Sequence, residues 1–173
     1  MDKLYILTRY LTLPGAMARG VFEHLACRLC SLPVEDNRLL RADELCSHVE
    51  HELAPTSRKA FSVCYIPFFL STFFAFLLFI PSVMGLFYFE LSGAFDKIVN
   101  AVAFYFAFSL FVNCCPSIED ALNMREKVYK KGTLLQKIFY TPGFIFCYIG
   151  AFAEKYSVTF ILALAGLIGL ILI

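Results

Sequence analysis

The chain has 173 residues, 60% of them hydrophobic, a formal net charge of +1 and a mean hydropathy of +0.71. That balance excludes the basic field with which proteins collect nucleic acid, and no nucleic-acid partner is expected. A water-soluble domain of this size lacks the interior to hide so much apolar sequence, so the expected solvent is the lipid bilayer and the expected class an all-α multi-pass membrane protein with a single membrane domain over 1–173.

Residues 1–32 form the first element, an N-terminal helix. Its apolar stretch carries Arg9 and lacks a small-residue cleavage pattern, which argues against a signal peptide. At helical spacing Arg9, Thr12, Ala16, Arg19 and Glu23 make one polar stripe, with Leu4, Leu7, Leu11, Ala18, Phe22 and Leu25 around it. Arg19 and Glu23 are placed to pair, and Pro14-Gly15 is expected to break or kink the segment. Two placements stay open: a buried helix whose polar stripe faces protein, or an amphipathic helix lying on the membrane surface.

Residues 33–60 are the substantial polar stretch, suited to a small strand pair or an irregular loop. The region 61–173 then holds the transmembrane helices. Uncharged runs cover 61–89, 98–118, 138–153 and 156–173, giving about four spans: 98–118 and 156–173 are each near the roughly 20 residues a helix needs to cross hydrocarbon, and 138–153 is shorter, a tilted or kinked span or else an interfacial turn. Pro81-Ser82 is expected to divide the first run, and Pro142-Gly143 to kink or turn the third. Basic residues concentrate before the first run (Arg28, Arg38, Arg41, Arg58, Lys59) and after the second (Arg125, Lys127, Lys130, Lys131, Lys137). The positive-inside rule puts 31–60 and 119–137 on the cytoplasmic side, with 90–97 and 154–155 opposite.

The three histidines, His24, His48 and His51, fall on the predicted cytoplasmic side together with Asp120. Imidazole and carboxylate are zinc ligands, and a catalytic zinc takes three protein ligands and leaves a position for water. His24, His48, His51 and Asp120 are therefore the candidate metal ligands, with Glu23 or Glu50 as general base. A plainer alternative has the loop histidines in solvent and Asp120 in a helix cap, with Ser117 as N-cap three residues before it. Another uses Cys27, Cys30, Cys46 and His48 as a closed structural zinc site. Cys64, Cys114, Cys115 and Cys147 lie in or beside apolar runs, where packing explains them.

Leu13-Pro14-Gly15, then Glu23-His24-Leu25, then Leu32-Pro33-Val34, a polar hairpin-like stretch with His48-Val49-Glu50-His51, and a later span ending in Asn113-Cys114-Cys115-Pro116-Ser117-Ile118-Glu119-Asp120 follow one another in this chain. This layout resembles the core of site-2-protease-type membrane metallopeptidases over about the first 125 residues. The resemblance implies that His24 matches a histidine ligand of the early helix, and that Asn113, Pro116 and Asp120 match the later segment that carries an aspartate ligand. It also implies a membrane protein or peptide as substrate. The family's HExxH is absent, since Gly20 and Val21 stand four and three residues before His24. A nonenzymatic membrane scaffold or assembly subunit is the rival expectation, alone or as a homo- or hetero-oligomer. Ala165 and Gly169 in the last run would let another helix approach.

Overall fold

The structure, a computed structural model, describes residues 2–38, 48–88, 93–130 and 132–172. Among them run α1 (Asp2–Leu11), α2 (Leu13–Leu29), β1 (Val34–Arg38), β2 (His48–His51), α3 (Ser57–Val83), α4 (Ala94–Val112), α5 (Ile118–Arg125), α6 (Leu134–Lys155) and α7 (Val158–Leu172). Helices α2, α3 and α4 pack on one another, and the β-hairpin and α5 sit beside α2 and α3.

The N-terminal segment breaks at Thr12, and Pro14 lies in the first turn of α2, where its missing N–H leaves no bond unmade. Helix α4 satisfies the backbone exposed by the break. Ser109 Oγ donates to the Thr12 carbonyl and accepts the Gly15 N–H, both at 2.7 Å. Asn113 Nδ2 donates to Thr12 Oγ1 and to the Ser109 carbonyl, each at 2.8 Å, and Tyr105 donates to the Leu11 carbonyl at 2.8 Å. In an apolar surrounding each such group would cost several kcal/mol if left unpaired, roughly, so the break is tolerable because α4 covers it.

Arg9, Thr12, Ala16, Arg19 and Glu23 are all buried, whereas Leu4, Leu7, Leu11, Val21 and Leu25 are exposed. Of the two placements left open by the sequence, the stripe facing protein is the one found. Helix α3 follows the same inverted pattern: Ala60, Cys64, Pro67, Ser71 and Ala75 face inward, while Phe69, Phe73, Phe76 and Leu77 face out. Small residues inside let helices approach closely, and large apolar residues outside suit a chain solvated by lipid. Aromatic pairs fill the remaining seams, with Phe22 stacked on Phe74 at 5.6 Å, Phe111 edge-on to Phe76 at 4.9 Å, and Phe61 stacked on Tyr140 at 4.6 Å.

Pro81 does not divide the first apolar run. Helix α3 continues to Val83 and passes into a π-helical turn over Met84–Tyr88. The lost Pro81 donor is absorbed locally, and the Ser82 hydroxyl bonds to the Leu78 carbonyl one turn back.

Among the described residues two helices are long and apolar enough to cross a membrane, Ser57–Tyr88 and Ala94–Val112. The runs 138–153 and 156–173, expected as separate spans, belong to α6 and α7, which are bent by 89° at Tyr156-Ser157 and make a third span when taken as one broken unit. Ser157 turns this corner at φ 58°, a left-handed conformation. Residues 39–47, with Cys46, and 89–92 lie outside the described residues.

A Cβ on Gly15 would overlap the Ser109 carbonyl, whereas one on Gly166 would meet nothing within 4 Å. Gly15→Ala is therefore expected to destabilise by about 1–3 kcal/mol through overpacking, and Gly166→Ala to be neutral or slightly stabilising. Thermal unfolding of both variants in detergent micelles checks this, and a Gly15→Ala protein as stable as the parent would contradict the close α2–α4 crossing.

Candidate metal site

The site is assembled by three elements that are distant in sequence. Glu23 comes from the buried face of α2, His51 from the end of β2, and Asp120 from the first turn of α5. Each offers one ligand-capable atom, and these three atoms lie within 4.8 Å of one another.

Asp120 is positioned by the cap of its own helix. Ser117 Oγ accepts the Asp120 N–H at 3.1 Å and donates to Asp120 Oδ2 at 2.8 Å. The expected cap is thus present, and it leaves Oδ1 turned towards His51, 3.2 Å from Nε2. Capping and site membership are one arrangement here.

His51 is positioned by the hairpin. Strands β1 and β2 are antiparallel, with Val34 opposite His51 and Asp36 opposite Glu50, so Glu35 is an extra residue at a β-bulge. The Glu52 N–H bonds to the Pro33 carbonyl at 3.3 Å and closes the base of the hairpin. The Glu52 carbonyl can only accept, so at 2.9 Å it fixes the proton of His51 on Nδ1 and leaves Nε2 to face the two carboxylates. This is the outer hydrogen bond that orients metal-ligating imidazoles. Burial by itself would lower the His51 pKa. The hydrogen bond and charge of Asp120, with Cys27 and the Glu52 carbonyl, outweigh it and push the pKa up to about 11.

Glu23 is held by α2, whose Arg19 stands one turn earlier at 3.8 Å. Arg19 also reaches Glu154 of α6 at 3.5 Å. Glu154 in turn accepts from Arg9 Nη2 at 2.6 Å and from the Cys115 N–H at 3.0 Å. A cleft of about 340 Å³ opens beside the site, with His51 and Asp120 on its wall and Glu35, Glu50 and Glu119 around it.

The sequence-derived candidates fare differently. His51, Asp120 and Glu23 are brought together, Glu23 at ligand distance although it was expected as a base. Glu50, the other expected base, lines the cleft. His24 is outside the converging set, half-buried next to Glu23, and its Nδ1 has no hydrogen-bond partner among the described residues. His48 pairs through its backbone with Arg38, while its side chain, like Cys46, lies outside the described residues. Of the alternative cysteine site, Cys27 is buried in an apolar cluster with Cys64 and Cys147, and Cys30 packs against it. Sequence reasoning missed Glu154, expected in a connection on the opposite face but buried among the helices. A lone acid at the end of an apolar run was the available signal.

In the metal-free protein the raised His51 pKa stabilises the fold fully below pH 6.5, and this contribution disappears as pH rises towards about 11. The stability difference between the parent and His51→Gln, measured by unfolding across pH, should be largest on the acidic side and shrink with alkalinity; a difference that grows with pH would contradict the His51–Asp120 pairing. No family model, curated protein or solved structure matches the chain.

Proposed function

We propose that this chain is an integral membrane protein that holds a divalent metal ion, zinc by its donor chemistry, between Glu23, His51 and Asp120, and that the site carries out metal-assisted hydrolysis of a peptide segment at the membrane edge. The observation that supports it most is the convergence of one imidazole and two carboxylates within 4.8 Å beside a polar cleft. One histidine and two acids make a three-ligand set of the kind that leaves an open position. Of this set Asp120 is the residue that the layout of site-2-protease-type membrane metallopeptidases also matches, whereas His24, the histidine that layout matches, stands outside the set. The basic residues flanking the spans favour a cytoplasmic position for the site.

A zinc ion bound there would supply Lewis acidity towards water and a carbonyl oxygen. The chain's own residues do the rest. Glu52 keeps His51 Nε2 presented, Ser117 keeps Asp120 Oδ1 presented, and Arg19 stands behind Glu23. To serve as a ligand, His51 would give up the proton on Nε2 while keeping the one that Nδ1 donates to the Glu52 carbonyl. Glu50, on the cleft wall, would accept a proton from water, the part a general base plays. Glu35 and Glu119 give the cleft an acidic lining that favours a substrate segment with basic residues.

A second reading, a noncatalytic metal-stabilised scaffold, is favoured by Gly20 and Val21 at the places where the family has a ligand and a base. Metal analysis and a cleavage assay on the purified protein separate the readings. Stoichiometric zinc is expected in the parent and in His24→Ala, and its loss in His51→Ala and Asp120→Ala. Zinc retained by His51→Ala but lost by His24→Ala would overturn this ligand set. Glu50→Gln is expected to keep zinc and lose cleavage of a model transmembrane peptide; zinc without cleavage in the parent favours the scaffold.

A further inference from the structure

We propose that one rim of the helix bundle is a headgroup site for an anionic phospholipid, built by Arg28 of α2, Arg58 and Lys59 of α3, Lys127 and Lys130 of the turn after α5, and Lys137 of α6. The inference rests on the membrane part of the reading above and not on the metal site.

The fold gathers these residues from four elements. A single apolar cluster contains Cys27 of α2, Ala60 of α3 and Val128 of the π-helical turn Glu126–Lys130, with Tyr129 and, from α6, Tyr140 packed against it. Each cation is a near neighbour in sequence of one of these. Arg28 follows Cys27, Arg58 and Lys59 precede Ala60, Lys127 precedes Val128, Lys130 follows Tyr129, and Lys137 stands one helical turn before Tyr140. Two polar contacts tie the turn to its neighbours. Ser57 Oγ donates to the Lys127 carbonyl at 2.8 Å, and the Tyr129 hydroxyl meets Thr141 Oγ1 of α6 at 2.8 Å.

The six cations are exposed or half-buried, and among the described residues none of them stands within ion-pair distance of a carboxylate. The acids of the same chain segments, Glu52 and Glu126, leave a surplus of positive charge. Basic clusters of about this size beside a membrane span attract anionic headgroups. The adjoining surface points to a lipid and not to a soluble anion. Leu134, Leu135, Ile138 and Phe139, in the first turns of α6 and on both sides of Lys137, are between 66% and 79% exposed. Acyl chains accommodate such side chains, while the lysine stems lie along them and carry the ammonium groups to the level of the phosphates.

The test follows heat unfolding of the full-length protein in non-ionic detergent as phosphatidylserine, phosphatidylcholine or inorganic phosphate is added at one ionic strength. Phosphatidylserine is expected to raise the unfolding midpoint, as a ligand of the folded state does, and the other two to leave it unchanged. In the triple variant Lys127→Gln, Lys130→Gln, Lys137→Gln, the phosphatidylserine concentration giving half the shift is expected to rise about fivefold per charge removed. Arginine at the same three positions, or Lys97→Gln with Lys155→Gln elsewhere in the chain, is expected to preserve the parent's response. Should the triple variant fail to fold, the parent carries the test: sodium chloride is expected to weaken the phosphatidylserine shift, and a shift insensitive to salt overturns the proposal. Equal stabilisation by the two lipids, or a full response in the triple variant, overturns the headgroup site and leaves the membrane reading standing. Inorganic phosphate as effective as phosphatidylserine assigns the rim to a soluble anion and overturns the lipid. A chain that stays monodisperse without detergent overturns the membrane reading as well.

Discussion

Charged side chains from α1, α2 and α6 lie inside a bundle whose outer surface is largely leucine, isoleucine and phenylalanine, and their mutual pairing is the condition on which the rest of the structure depends. An isolated ion in such surroundings costs several kcal/mol, about the whole stability margin of a small domain. Glu154 meets that condition for two helices at once, taking Arg9 from α1 and Arg19 from α2 on one carboxylate oxygen. It thereby fixes the rotation of α2 about its axis. With that rotation set, Glu23 faces the hairpin and α5, and Leu25 faces outward.

The remaining joints serve the same geometry. The break at Thr12 lets α1 and α2 present their polar stripe to the interior, and Ser109 and Asn113 of α4 cover the backbone that the break exposes. Gly15 brings α2 against α4 at backbone contact. On the other side of α2, the bulged hairpin delivers His51 and the capped α5 delivers Asp120. Each element supplies a single ligand-capable atom, so the site exists only when the helices, hairpin and cap are all in register. A site built this way is pre-organised by second contacts to Glu52, Ser117 and Arg19, which is what precise metal geometry requires.

Much of this was legible in the sequence where local rules apply. The polar stripe from Arg9 to Glu23 reads directly from helical spacing, and Ser117 reads as an N-cap. The hairpin shows in the polar composition of 33–60. What escaped was decided by tertiary pairing. Nothing local tells which histidine meets Glu23 and Asp120; the register of β1 against β2 and the acceptor at Glu52 bring His51 there. Pro81 reads as a divider, yet α3 absorbs it in a continuous helix that ends in a π-helical turn. Glu154 looks like a connection residue because hydropathy ends there, and its partners lie 145 and 135 residues away. The bend at Ser157, which turns two apolar runs into one broken pair, depends on a single left-handed residue that no composition signals.

The most direct test of a metal centre made of Glu23, His51 and Asp120 is the X-ray absorption spectrum of the zinc-loaded, detergent-solubilised protein. A first shell of nitrogen and oxygen at about 2.0–2.2 Å with a single imidazole and no sulfur is expected. A sulfur shell at about 2.3 Å would assign the metal to the cysteines, and more than one imidazole would bring His24 or His48 into the site; either would contradict the proposed ligand set.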